Sequence, residues 1–329
     1  MDRYTLDTTM RAVFADPLLA PLQKYLIYTS VGEPGERMSD KSIRESAGGW
    51  AAEGVLRGLN FLARQMELGR VKQHFLYGGE DCEDDALKRD VNLIQLTPED
   101  GASDAARPYI ILCGGGAYKW VSTIIESLPT AVPMVKRGYT VFLLTYRVRC
   151  DKAAPKALSD LAAAVRYVNE HKEALGVKTE RCAIGGFSAG ANLICNYGVP
   201  ALGYKKYGLP RPAALFPVYA FIDLKAMGKH NCVPDLLEPM FGEEISKYID
   251  EYNVVDRIDA DYPPCYIVCG RDDMSVPPYN SEKLAELLLK AGVPAILEEG
   301  DHAPHAFGEG SGTDVAGWPD RAIDFLESL

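Results

Sequence analysis

Apolar residues along this chain change their spacing near residue 70. Before that point they recur at helical intervals. The run "GWAAEGVLRGLNFLARQMELG" (49–69) places Leu56, Leu59, Leu62, Ala63 and Met66 on one helix face. "DPLLAPLQKYLIY" (16–28) has similar spacing and predicts another helix, set apart by the turn-rich "TSVGEPGERMSDKS" (29–42). Beyond residue 70 short apolar runs alternate with helical ones. "VKQHFLY" and "DVNLIQLTP" read as two strands joined by an acidic loop, "GGEDCEDDALKR" (78–89), which is most simply a solvated turn. "YIILC", "YTVFLLTYR", "CAIGGF", "AALFPVYAF", "CYIVCG" and "PAILEE" then alternate with helical stretches. That alternation predicts an α/β fold: a twisted, mostly parallel sheet of about eight strands, flanked by helices joined through right-handed crossovers. Too few apolar residues precede position 70 to close a core of their own. Residues 1–70 are therefore read as a helical N-terminal extension packed on a main domain, 71–329.

Composition narrows the function classes. The 329 residues carry a formal net charge of −11, with no basic patch interleaved with aromatics, so nucleic acid is not an expected partner. No run approaches the roughly 18 apolar residues of a membrane span. The amino terminus, "MDRYTLDTTMRAVFAD", is acidic where a signal peptide is basic, which makes a cytoplasmic protein the expectation. The eight cysteines are scattered, several within apolar runs, without the spacing of a zinc site, and are expected to be reduced and structural.

Four segments carry candidate chemistry. Gly186-Phe187-Ser188-Ala189-Gly190 is a G-x-S-x-G placed between a strand and a helix, where the turn would expose the Ser188 hydroxyl above the sheet. The amino terminus of the helix that follows, "ANLICNYG" (191–198), adds a positive partial charge near it. Gly114-Gly115-Gly116 follows the third strand, where bare N–H groups can approach an oxyanion. It lacks the spacing of a dinucleotide or P-loop phosphate site. After the seventh strand "GRDDMSVPPYNS" offers two carboxylates, Asp272 and Asp273. After the last, "EEGDHAPHAFGEG" offers two imidazoles, His302 and His305. His74, His171 and His230 lie elsewhere, on a strand, a helix end and a loop.

This set, in the order Ser, Asp, His, resembles the α/β-hydrolase superfamily. The likeness is to the esterase/lipase branch of hormone-sensitive-lipase-like esterases and bacterial acetyl or acetyl-xylan esterases. "GYTVFLLTYRV", "LSDLAAAVRYV", "LFPVYAFID" and "DADYPPCYIVCGRDD" extend it over about residues 70–329. The resemblance implies Ser188 as nucleophile. It selects Asp273, because the branch's G-x-x-D-x-x-V-P counted from Gly270 falls there. It selects His305, because His305-Ala306-Phe307-Gly308 matches H-G-F-G with one change. The branch often has His-Gly-Gly-Gly or Pro-Gly-Gly-Gly-Tyr where this chain reads Cys113-Gly114-Gly115-Gly116-Ala117-Tyr118, so Gly115, Gly116 and Ala189 are the expected oxyanion amides. Tyr118 and Trp120 would lie beside the substrate, and residues 1–70 would cap the site. The implied function is that of a serine esterase for small acyl esters, acetylated sugars among them, needing no metal or organic cofactor. An amidase or peptidase with the same triad is the alternative, and a non-catalytic binding module the more distant one.

Overall fold

The short apolar runs do become strands, and burial explains their composition. The computed structural model describes residues 2–32, 35–98, 107–227 and 236–329. Its strands are β1 (Val71–Phe75), β2 (Asn92–Leu96), β3 (Arg107–Cys113), β4 (Thr140–Thr145), β5 (Val177–Phe187), β6 (Ala214–Val218), β7 (Cys265–Gly270) and β8 (Ala295–Gly300). They form one sheet in the order β1-β2-β4-β3-β5-β6-β7-β8. β1 pairs with β2, and β2 with β4, antiparallel; every later pairing is parallel. All residues of β4, β6 and β7 are buried, as helix-covered parallel strands require. β1 and β8, at the two edges, are partly exposed and carry polar residues.

Among the described residues six longer helices flank the sheet: α1 (Gly48–Glu67), α2 (Leu128–Lys136), α3 (Ala153–Glu170), α4 (Ala189–Gly198), α5 (Tyr279–Lys290) and α6 (Trp318–Ser328). α1 matches the amphipathic run, with Val55, Leu59, Leu62 and Ala63 buried and Leu56 and Met66 partly so. The helix expected over 16–28 reduces to one turn, Gln23–Leu26. Pro17 and Pro21 break it, and Asp16 accepts the Leu18 N–H in a tight turn instead. A short helix, Met10–Phe14, precedes it, capped by the Thr9 side chain. The side chains of this N-terminal region join the same apolar core as the sheet: Val13, Leu19, Leu26 and Ile43 are fully buried.

The acidic loop is less solvated than its charge implies. Asp85 turns inward to Arg147 (2.9 Å), which also holds the fully buried Asp160 (2.7 Å). Among the described residues seven cysteines are unpaired, six of them buried, and burial raises the pKa of Cys113 and Cys265, which makes them poor nucleophiles. No helix among the described residues is long and apolar enough to cross a membrane.

Candidate active site

The carboxyl ends of β3, β5, β7 and β8 lie along one edge of the sheet, and the loops leaving them bring the flagged residues together. β5 ends at Phe187 and α4 begins at Ala189, so Ser188 alone makes the turn, at φ +50° and ψ −112°. Its N–H donates to the Val218 carbonyl at 3.0 Å, fixing the turn to β6. The two flanking glycines are required by contact. A Cβ on Gly190 would lie 2.0 Å from the Cys113 carbonyl oxygen, and one on Gly186 2.3 Å from that of Gly190.

Ser188 Oγ lies 3.1 Å from His305 Nε2, and His305 Nδ1 lies 2.7 Å from Asp273 Oδ2. Asp273 is buried, and its other oxygen accepts the N–H groups of Ser275 and Val276, both at 2.8 Å. Those bonds aim the carboxylate at the imidazole. The competing pair forms a separate contact. His302 Nδ1 lies 2.7 Å from Asp272 Oδ2, and Asp272 Oδ1 accepts the Ala303 N–H. His302 is exposed and has no bond to Ser188. His74 pairs with Gln95 across β1 and β2, His171 lies against the Tyr167 carbonyl, and His230 is outside the described residues.

The glycine loop departs from expectation at Gly115. Its N–H donates to Glu126 Oε2 at 2.5 Å, so it is not available to an oxyanion. The chain then turns through Gly116 (φ +127°), Ala117 (φ +53°) and Tyr118 (φ +57°). Among the described residues, the N–H groups of Gly116, Ala117 and Ala189 have no acceptor. Tyr146 donates to the Gly114 carbonyl at 2.6 Å and anchors the loop from below. Tyr118, expected beside the substrate, is instead core: its ring is buried and its hydroxyl donates to Asn192 Oδ1 at 2.9 Å. Trp120 remains 44% exposed, its indole packed where a Cβ on Gly116 would sit.

Sequence reasoning missed Glu126 and Tyr219. Glu126 is buried and accepts the Tyr219 hydroxyl at 3.0 Å, and the Tyr219 ring lies 4.8 Å from that of His305. Glu126 stands within the π-helical turn Thr123–Ser127, a feature with no distinct sequence pattern.

A mostly parallel sheet with antiparallel entry strands, and a serine on the strand–helix turn after β5, define an α/β-hydrolase fold. A structure of an acetyl ester-xyloside bifunctional hydrolase from Caldicellulosiruptor lactoaceticus superposes with a TM-score of 0.68 at 25% identity, over 79% of this chain and 96% of that one. The BD-FAE family model matches residues 96–288, and the chain belongs to that family. Among curated relatives, esterase LipQ of Mycobacterium tuberculosis is 26% identical over 214 residues, 61% of this chain and 50% of that protein. Hormone-sensitive lipase of Mus musculus is 22% identical over 205 residues, 59% of this chain and 26% of that protein. The chain thus spans half or less of the length of these two relatives.

Proposed function

We propose that the protein is a serine carboxylic-ester hydrolase for small acyl esters, chiefly acetyl esters. The observation that carries this reading is the continuous chain Asp273–His305–Ser188, at 2.7 and 3.1 Å. Ser188 Oγ attacks the ester carbonyl carbon while its proton passes to His305 Nε2. Asp273 holds the Nδ1–H tautomer and favours the imidazolium. The tetrahedral oxyanion is met by the amides of Gly116 and Ala189, with Ala117 next to them. Gly115 drops from that set because Glu126 holds its N–H. One such donor is typically worth about 3 kcal/mol in the transition state. Collapse breaks the ester C–O bond, and His305 returns the proton to the leaving alcohol. Water, deprotonated by His305, then releases the acid from Ser188.

The acetyl preference is supported by the likeness to the acetyl ester-xyloside bifunctional hydrolase of Caldicellulosiruptor lactoaceticus. Trp120, exposed beside the glycine loop, supplies a flat face on which a sugar ring can stack. Residues 1–70 brace this rim: Tyr28 bridges Val121, and Thr29 Oγ1 donates to the Lys119 carbonyl.

The experiment is fluorophosphonate labelling, with kcat/KM measured across p-nitrophenyl acetate, butyrate, octanoate and palmitate. Wild-type protein should label once, Ser188→Ala should not, and rates should be highest for acetate and fall steeply with chain length. Each methylene left unburied forgoes about 0.8 kcal/mol. Labelling of Ser188→Ala would remove the nucleophile, and a maximum at octanoate or beyond would replace the small-acyl reading with a lipid one.

A further inference from the structure

The steps above leave a buried carboxyl beside Ser188 without a part. Glu126 is 3% exposed and accepts two hydrogen bonds from different segments. Oε2 takes the Gly115 N–H at 2.5 Å, and Oε1 takes the Tyr219 hydroxyl at 3.0 Å. The Tyr219 oxygen in turn accepts the Gly308 N–H at 3.3 Å, three residues past His305. One carboxylate therefore joins the loop after β3, the end of β6 and the loop that carries His305. A Cβ added to Gly115 would lie 3.1 Å from Glu126 Oε1 and 2.9 Å from the Ser188 Cβ, so the carboxylate lies just behind the nucleophile. The backbone is bent to permit this. The π-helical turn over Thr123–Ser127 carries Glu126, and Tyr219 sits at φ +41°.

The surroundings of Glu126 make it costly as a packing residue. The groups facing it are the buried phenols of Tyr219 and Tyr146, with His305 as the nearby cation-forming group and Asp273 beyond Tyr219. Among the described residues no lysine or arginine pairs with it. Burial pushes its carboxyl up to about 7, against the pull of the Gly115 N–H and of His305. An uncompensated buried carboxylate disfavours folding, and a neutral side chain of similar shape would fill the space at lower cost.

We propose that Glu126 is a positioning residue for the hydrolysis. It holds the glycine loop and the His305 loop in register through Gly115 and Tyr219, and it supplies buried negative charge that favours the imidazolium formed when Ser188 gives up its proton. This rests on the serine-hydrolase reading. By turning the Gly115 N–H onto itself, Glu126 leaves the next amides, from Gly116 onward, for the oxyanion.

The test compares Glu126→Gln, Glu126→Asp and Tyr219→Phe with wild type in p-nitrophenyl acetate hydrolysis from pH 5 to 9, alongside melting curves. Glu126→Gln should lose on the order of 10- to 100-fold in kcat with little change in KM, as loss of positioning does. Its acidic limb should be shallower than that of wild type, because only the wild-type carboxyl, which burial pushes up to about 7, loses its charge as pH falls. Glu126→Asp, with the charge restored one methylene short, should recover the limb but not all of kcat. Tyr219→Phe keeps the carboxyl but removes the hydroxyl that bonds both Glu126 and Gly308, so it should lower kcat by uncoupling the two loops. A folded Glu126→Gln with wild-type kcat and an unchanged limb overturns the proposal. If Glu126→Gln fails to fold, wild-type kcat in Tyr219→Phe overturns it alone. The nucleophile assignment fails separately, through labelling of Ser188→Ala, whatever the Glu126 variants do.

Discussion

Arg57, on α1, reaches Glu309, four residues past His305, with Nη2 2.5 Å from Oε1. The same guanidinium bonds the Ser311 hydroxyl, and Gly54, one turn earlier, leaves room for the Glu309 side chain. The N-terminal segment is thereby fastened to the loop that carries the imidazole.

The ion pair itself contributes little, since Arg57 is about half exposed and such pairs are worth about 0–1 kcal/mol. Arg57→Ala should melt within about 2 °C of wild type. Deleting residues 1–70 is different in kind, because it removes the buried Val55, Leu59, Leu62 and Ala63 from a shared core. The truncated chain should bind a hydrophobic dye and lose soluble yield. A monodisperse truncated protein with the same substrate profile would show the segment to be dispensable.

The two histidines should separate by kinetics. His305→Ala is expected to lower kcat by roughly four orders of magnitude or more, because members of a triad such as the one proposed act as a unit. His302→Ala removes an exposed imidazole paired only with Asp272 and should stay within about threefold of wild type. Asp273→Asn and Asp272→Asn should rank the same way. The reverse order would move the base to His302.

Gly190→Ala tests the packing of the turn. The added methyl would meet the Cys113 carbonyl oxygen at 2.0 Å and that of Gly114 at 2.6 Å, both backbone atoms that cannot step aside. Overpacking of this kind costs about 1–3 kcal/mol or more, so melting temperature and hydrolysis should fall together. An alanine variant with wild-type stability would mean that the turn is looser than its contacts indicate.

Asp16 couples the N-terminal segment to pH. It accepts Arg3, the Tyr4 hydroxyl at 2.6 Å and the Leu18 N–H at 2.9 Å, and the bond from Arg3 chiefly holds its carboxyl well below the usual range. A depressed folded-state pKa gives stability that is present above the unfolded value, near 4, and lost as pH falls below it. Asp16→Asn should therefore melt a few degrees lower at pH 7, with the gap to wild type closing between about pH 4 and pH 2. A gap that stays constant over that range would show the effect to be steric.

The legible parts of the site were those where the backbone dictates the residue. Gly186 and Gly190 have no room for a side chain, so the serine turn announces itself in five letters. The order Ser188, Asp273, His305 follows from parallel strands ending at one edge. What stayed hidden depends on side chains meeting across the fold. The choice of amide in the glycine loop is made by Glu126, eleven residues on and carried inward by a π turn. Tyr118 and Trp120 are two residues apart, yet the positive φ angles at Ala117 and Tyr118 send one ring into the core and leave the other outside. The stretch at 16–28 has helical spacing, but Pro17 and Pro21 let turns win over the helix.

The conformation of Ser188 has a thermodynamic corollary. An L-residue at φ +50° and ψ −112° is held in a region that costs of order 1–3 kcal/mol, and the hydroxyl faces His305 only because the surrounding contacts outweigh that preference. The molecule carries this as a standing debit against its own folding, to be recovered by any residue indifferent to backbone handedness. Ser188→Gly should be a dead enzyme that melts higher than the living one, and the difference would measure how much robustness the chain forgoes to keep the proposed nucleophile in reach.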